Sequence, residues 1–82
     1  MVLEDKSICI VGLGFVGLTL AAVLAKKGFN IHGIEKNKEI LNSLNKKKSH
    51  FYEPNLNKTL KEIIKKKKFT FSKNITNNNN SV

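Results

Sequence analysis

The chain is 82 residues long, its hydrophobic fraction is 40% and its formal net charge is +9. That length holds at most one small domain, and the apolar fraction is ordinary for a globular protein. All 15 basic residues are lysine, and arginine, which usually supplies bidentate recognition of bases and phosphates, is absent. We therefore interpret the lysine excess as solvated surface, and nucleic-acid binding is kept only as the weaker alternative.

The cysteine and the histidines limit the chemistry that the chain can carry. A single cysteine, Cys9, excludes an internal disulfide framework. Cys9 stands in an apolar run and is predicted to be a small buried core residue, not a nucleophile or a metal ligand. His32 and His50 have no partners at metal-ligand spacing, so the sequence predicts no metal site and no catalytic residue.

The uncharged run from residue 8 to residue 25 spans 18 residues, which is just long enough to resemble a membrane span or a signal peptide. Three glycines at regular spacing argue against such a segment. Glu4 and Asp5 also argue against it, because a signal peptide begins with a basic stretch. The chain is therefore expected to be soluble and cytoplasmic.

The glycines form a Gly-x-Gly-x-x-Gly pattern that follows the first apolar run and opens a helix-forming segment. In a strand, turn and helix, Gly12 permits the sharp turn, Gly14 lets a pyrophosphate approach the backbone, and Gly17 lets the helix pack close to the strand. The unpaired amides and the positive end of the helix dipole would face the phosphates. The predicted cofactor-binding residues of this turn are Gly12, Leu13, Gly14, Phe15, Val16 and Gly17.

An acidic residue stands at a suitable distance beyond the turn. A second apolar run begins at Asn30 and ends in Glu35, 18 residues after Gly17, close to the spacing of the carboxylate that binds a ribose hydroxyl in dinucleotide sites. A carboxylate there disfavours a 2′-phosphate, so NAD is predicted in preference to NADP. The alternative is a plain strand, turn and helix without a ligand.

The remaining pattern predicts three strands and three helices in the order β-α-β-α-α-β. Gly28 is suited to end the first helix, Asn37 to cap the second and Pro54 to open the third. Phe69 and Phe71 alternate with polar residues as a third strand. The first predicted strand begins at residue 6 or 7 and ends at residue 11. The second covers residues 30–35 and the third residues 69–72, and the first helix covers residues 15–27.

Right-handed crossovers would place all helices on one face of a parallel sheet with the strands in the order third, second, first. This is an α/β fold, the incomplete first half of a Rossmann doubly wound sheet, in which the first strand lacks an outer neighbour. Residues 1–75 are expected to form this partial NAD(P)-binding domain and residues 76–82 a disordered, asparagine-rich tail. The uncovered sheet face is expected to promote self-association.

Three blocks of sequence resemble the N-terminal part of the UDP-glucose/GDP-mannose dehydrogenase family of nucleotide-sugar dehydrogenases. They are Ile10 to Ala21, Gly33-Ile34-Glu35 and Phe51-Tyr52-Glu53-Pro54-Asn55-Leu56. The first block fits many dinucleotide-binding proteins, whereas the third is much more specific to this family. Three departures from the family pattern are Glu35 for a commoner Asp, Asn55 for a common Gly and Thr19 for a common Pro.

The resemblance implies an NAD-dependent, two-step oxidation of the C6 alcohol of a UDP-sugar to a uronic acid, with the glycine turn on the pyrophosphate and Glu35 on the adenosine ribose. Residues 49–54 resemble members that act on N-acetylated hexosamine nucleotides, of the mannosamine type, slightly more than the glucose enzymes. The family's catalytic cysteine, lysine and asparagine and its sugar-binding domain have no counterpart in these 82 residues. We therefore expect an inactive N-terminal fragment; the alternative is a stand-alone dinucleotide-binding module completed by a partner chain.

Overall fold

The computed structural model describes residues 7–74, so the expected tail and the domain limit at residue 75 lie outside these residues. Within them the elements follow the predicted order, and the predicted bounds of the strands and of the first helix are confirmed to within one residue. The strands are β1 (Ser7–Val11), β2 (Asn30–Ile34) and β3 (Phe69–Ser72). The helices are α1 (Phe15–Lys26), α2 (Lys38–Asn45) and α3 (Leu56–Lys65).

The three strands form one parallel sheet in the order β1-β2-β3, as predicted. In the register, Cys9 lies opposite His32, and His32 lies opposite Thr70. Helices α1 and α3 pack against each other and against the sheet. The core between them is a single cluster of buried side chains. Its largest fully buried members are Leu13, Leu18, Ile31, Leu44, Leu60, Ile63 and Phe69.

Helix α1 is apolar on nearly its whole circumference. Three alanines, at positions 21, 22 and 25, are buried on the side that meets the sheet, and their small side chains permit close packing. On the other side Val16, Leu20 and Val23 remain 75%, 47% and 47% exposed. Gly28 follows the helix at φ 110° and ends it, as predicted. Within residues 7–74 no helix combines the length and the apolar character that crossing a membrane requires.

Strand β1 alternates between covered and open residues, and this corrects the prediction for Cys9. Ile8 and Ile10 pack against the core, whereas Cys9 is exposed and Val11 is 74% exposed. The reason is that neighbouring residues of a strand point to opposite faces, and only one face of this sheet meets the core. Cys9 is therefore a free thiol on the open face, not a buried core residue.

His32 has a structural role on the same sheet. Its Nδ1 lies 2.6 Å from the Thr70 hydroxyl and its Nε2 lies 2.9 Å from the Ser72 hydroxyl. The Ser72 hydroxyl donates to the Asn74 carbonyl at 2.8 Å, so it accepts the hydrogen of Nε2. These bonds join β2 to β3 through side chains, in agreement with the structural interpretation of this histidine.

The third helix begins two residues later than predicted. Pro54 and Asn55 form the middle of a tight turn that the Leu56 amide closes by donating to the Glu53 carbonyl at 3.1 Å. Asn55 adopts φ 70° and ψ −7°, the conformation required at the third position of a type II turn, and proline suits the second position. The fixed φ of Pro54 is therefore used by the turn, and α3 starts at Leu56.

The positive φ of Asn55 leads to a test of this turn. Replacement of Asn55 by alanine is expected to lower the free energy of unfolding by about 1 kcal/mol, because alanine tolerates the left-handed region less well than asparagine. Replacement by glycine should leave it within about 0.5 kcal/mol of the original value. Urea unfolding measures both. Asn42→Ala removes the same side chain from an exposed position inside α2 and should cause no loss; equal losses at both positions would contradict the explanation.

Candidate functional site

The glycine turn joins β1 to α1 at the carboxyl end of the sheet. Gly12 has φ 90°, a conformation that favours glycine, and its amide donates to the Ile34 carbonyl at 2.7 Å. Leu13 is fully buried, and its amide donates to Oε1 of Glu35 at 2.7 Å. Two successive amides of the turn thus donate to Ile34, the last residue of β2, and to Glu35, which follows it. The turn and Glu35, separate in sequence, meet as the spacing predicted.

The amino end of α1 is open to an outside acceptor. Gly14 is its N-cap residue and offers no side-chain acceptor, and the first turn of the helix contains no acidic residue. Helix α2 is different, because the Asn37 side chain accepts from the amides of Glu39 and Ile40 and Glu39 adds a negative charge there. The first amides of a helix have no partner inside it. In α1, as far as residues 7–74 show, these amides and the positive end of the dipole remain available for an anion.

Gly17 and Gly14 of the pattern differ in whether the fold itself requires glycine. A Cβ at Gly17 would lie 1.9 Å from the Gly12 carbonyl oxygen, so helix and turn could not approach this closely with any other residue. A Cβ at Gly14 would meet nothing within 4 Å, and its φ of −72° suits any residue. The protein itself therefore does not need glycine at position 14. The space is what a ligand seated against the backbone would need.

Glu35 is half-buried between the glycine turn and the start of α2. Its Oε2 accepts from the Asn37 amide at 2.9 Å, while Oε1 accepts from the Leu13 amide. The Leu13 bond, followed by the Asn37 bond, holds the pKa of Glu35 below its ordinary value of 4.5 against the opposing effect of burial. The charge of His50 adds a smaller lowering. The carboxylate is therefore ionised at neutral pH and fixed at the mouth of the turn.

The lowered pKa of Glu35 gives a pH dependence of stability. Because the pKa is lower in the folded state, the ionised carboxylate stabilises the fold above the unfolded pKa, and this contribution is lost as the pH falls through the folded pKa. From about pH 7 to about pH 3 the wild-type chain should lose more unfolding free energy than Glu35→Gln, as measured by urea unfolding at each pH. The Glu62–Lys66 pair is common to both proteins and cancels in the difference. Glu53→Gln, which removes an exposed carboxylate that makes no contact with Glu35, should retain the wild-type profile.

The loop between α2 and α3 reaches the glycine turn through aromatic rings. The centroids of Phe15 and Phe51 lie 5.0 Å apart, and the ring of His50 packs edge-on against Phe51 at 4.9 Å. The Ser49 hydroxyl donates to the Phe51 carbonyl, and the Ser49 amide donates to Oδ1 of Asn57 at 2.8 Å. No pattern in the sequence indicated that this loop borders the site. The motif in this loop indicated a family, but the spacing of residues within a motif does not show how close one loop lies to another.

The arrangement fits a dinucleotide better than it fits reaction chemistry. Open amides, the open space beside Gly14 and an ionised carboxylate at the same turn match a pyrophosphate next to a ribose. Within residues 7–74 no group of three or more His, Cys, Asp or Glu side chains is placed to hold a metal ion. Cys9 lies on the open face of the sheet, two residues before Val11 on β1. When bound, a nicotinamide cofactor would supply hydride acceptance, and the chain would bind and orient it.

The sequence was compared with known proteins. Residues 6–82 match the UDP-glucose/GDP-mannose dehydrogenase family, NAD binding domain. UDP-N-acetyl-D-mannosamine dehydrogenase from Campylobacter jejuni is 38% identical over 53 residues, which are 65% of this chain and 13% of that enzyme. UDP-glucose 6-dehydrogenase from Pseudomonas aeruginosa is 31% identical over 65 residues, 79% of this chain and 14% of that enzyme.

The fold is also similar to that of nucleotide-sugar dehydrogenases. The solved structure of UDP-N-acetyl-mannosamine dehydrogenase from Staphylococcus aureus superposes with a TM-score of 0.82 at 25% identity, covering 88% of this chain and 18% of that protein. The chain thus spans less than a fifth of the length of these relatives. The matched part of the family binds NAD. The chain belongs to the UDP-glucose/GDP-mannose dehydrogenase family, to the part that forms its NAD-binding domain.

Proposed function

We propose that this chain supplies the dinucleotide site of an NAD-dependent nucleotide-sugar 6-dehydrogenase, which oxidises the C6 alcohol of a UDP-sugar to a uronic acid. The observation that carries the proposal is the open amino end of α1, bordered by a position where glycine serves no need of the protein. In this assignment the pyrophosphate binds against the turn and the adenosine ribose against Glu35. The proposed binding residues are Gly12, Leu13, Gly14, Phe15, Val16, Gly17 and Glu35.

The preference for NAD over NADP follows from the fixed charge at the mouth of the turn. A 2′-phosphate would bring negative charge against the carboxylate of Glu35, and like charges in contact cost several kcal/mol. Isothermal titration calorimetry with the 82-residue chain should show saturable NAD binding and NADP binding weaker by on the order of 100-fold. Absence of NAD binding at millimolar concentration would reject the assignment.

The enzymatic part of the proposal needs a larger protein, since no residue of this chain is proposed as catalytic. We would exchange the corresponding segment of the Campylobacter jejuni relative for this chain and follow NADH formation by absorbance. Activity in the chimera, and its loss in the same chimera with Gly14→Ala, is the expected result. An inactive but folded chimera that binds NAD would contradict the dehydrogenase assignment.

The substrate class is proposed to be an N-acetylated hexosamine nucleotide. The resemblance of residues 49–54 to such members supports this, as does the similarity to UDP-N-acetyl-D-mannosamine dehydrogenases from Campylobacter jejuni and Pyrococcus horikoshii. A cytoplasmic location belongs to the same proposal.

The second candidate is a binding module completed by a partner chain. It is favoured by the exposed apolar surface at Val11, Phe15 and Val16, of which 74%, 58% and 75% remain exposed, and by the position of β1 at an edge of the sheet. This candidate predicts concentration-dependent self-association of the purified chain in analytical ultracentrifugation. Replacement of Val11 by lysine should weaken it; a monomer at all concentrations would contradict self-association.

A further inference from the structure

The Glu35 carboxylate accepts two hydrogen bonds from the protein itself, which play no part in holding a ribose. One oxygen accepts from the Leu13 amide at 2.7 Å and the other from the Asn37 amide at 2.9 Å. Both donors are backbone groups, one in the glycine turn and one at the cap of α2. The carboxylate thus connects the glycine turn, 22 residues away in the sequence, to the segment that links β2 to α2.

The turn depends on this connection. Leu13 is fully buried, and its side chain lies over Gly33, where a Cβ would come within 2.6 Å of a Leu13 methyl group. A buried amide without an acceptor is destabilising. The Gly12 amide beside it is already paired with Ile34. The Leu13 amide is paired only by Glu35 within residues 7–74, so the carboxylate completes the hydrogen bonding of the turn.

We propose that Glu35 is a positioning residue for the glycine turn, which holds the turn in its binding shape before any cofactor arrives, in addition to its role as ribose acceptor in the proposed function. A carboxylate has about four acceptor positions, and the two amides occupy one on each oxygen. The remaining positions stay available for the two ribose hydroxyls. Because both oxygens are held, the carboxylate does not turn away from a 2′-phosphate, and the anchor itself enforces selection for NAD.

Nuclear magnetic resonance of the full, 15N-labelled chain without cofactor tests the anchor directly. In the wild type the amide protons of Leu13 and Asn37 should shift together as the Glu35 carboxyl titrates. His50 is the other charged group that acts on this carboxyl. Glu35→Ala should speed hydrogen exchange of the Leu13 amide by roughly tenfold or more, the effect of one charge-assisted hydrogen bond.

Two further variants separate the anchor from a general loss of structure. Glu35→Gln retains one carbonyl oxygen for the Leu13 amide, so exchange at Leu13 should stay near the wild-type rate while the joint titration disappears. Glu53→Gln removes an exposed acid outside the site and should change neither. Unchanged exchange at Leu13 in Glu35→Ala, or a wild-type Leu13 shift that ignores the Glu35 titration, would overturn the proposal.

Calorimetry on the same samples keeps the two proposals apart. If the wild type binds no NAD while the Leu13 amide behaves as expected, the dinucleotide site is wrong and the anchor stands. If NAD binds and Glu35→Ala weakens it without any change at Leu13, the ribose role stands and the anchor is wrong. With both correct, Glu35→Ala should weaken NAD binding and reduce the ratio of NAD to NADP affinity by roughly tenfold.

Discussion

Gly14→Ala is expected to weaken NAD binding strongly while the chain stays folded. The added methyl group meets no protein atom within 4 Å, so the fold accepts it, but it occupies the space in which a pyrophosphate must approach the backbone. We expect the dissociation constant to rise on the order of 100-fold, equivalent to about 2.7 kcal/mol. Calorimetry gives the affinity, and urea unfolding should show a change in stability of no more than about 1 kcal/mol, since alanine caps a helix slightly less well than glycine.

Gly14→Ser controls for that capping effect. Serine is a good N-cap residue, so this variant should be at least as stable as the wild type and still bind NAD poorly, because its Cβ fills the same space. Wild-type NAD affinity in either variant would show that the cofactor does not approach the backbone at Gly14. A large loss of stability in both would show that the position is structural.

Gly17→Ala should have the opposite profile and destabilise the chain itself. Its Cβ would lie 1.9 Å from the Gly12 carbonyl oxygen and 3.0 Å from the carbonyl carbon, and backbone atoms cannot move aside as a side chain end can. We expect a loss of about 3 kcal/mol, at the upper end of overpacking effects, although alanine is intrinsically the better helix residue. Thermal unfolding should show a fall in melting temperature of roughly 10 °C or more.

The matched comparison for Gly17→Ala is Gly14→Ala, the same chemical change three residues earlier. The structure predicts that one loses stability and the other loses ligand affinity. Thermal unfolding of both without cofactor is sufficient to separate them. Equal melting temperatures would contradict the close contact between α1 and the turn.

Local spacing was enough to predict the strand, turn and helix and the approach of Glu35 to the turn. The turn needs a positive φ at Gly12 and close packing at Gly17, and only glycine supplies both, so the pattern specifies its own geometry. The approach of Glu35 to the turn could be predicted because parallel strands place their carboxyl ends at one edge of the sheet. The hydrogen bond from the Leu13 amide to Glu35 could not be predicted, since spacing places a residue but does not select its rotamer.

Cys9 and the loop before α3 show two other limits of sequence reasoning. The apolar run around Cys9 indicates which residues tolerate burial, but burial also needs an element to cover them, and within residues 7–74 the helices cover only the opposite face. The contact between Phe15, the first residue of α1, and Phe51 in the loop before α3 is a tertiary contact, for which the sequence has no periodic signal. The contacts of the seven proposed residues with NAD stay predictions.

The uncapped amino end of α1 links the thermal stability of the chain to its ligand. Capping by a side chain contributes about 1 kcal/mol to a helix, and α2 obtains this from Asn37, whereas within residues 7–74 no side chain caps α1. A bound diphosphate would supply it from outside. Folding and ligand uptake are then linked equilibria, and the midpoint of thermal unfolding rises with the logarithm of NAD concentration once that exceeds the dissociation constant.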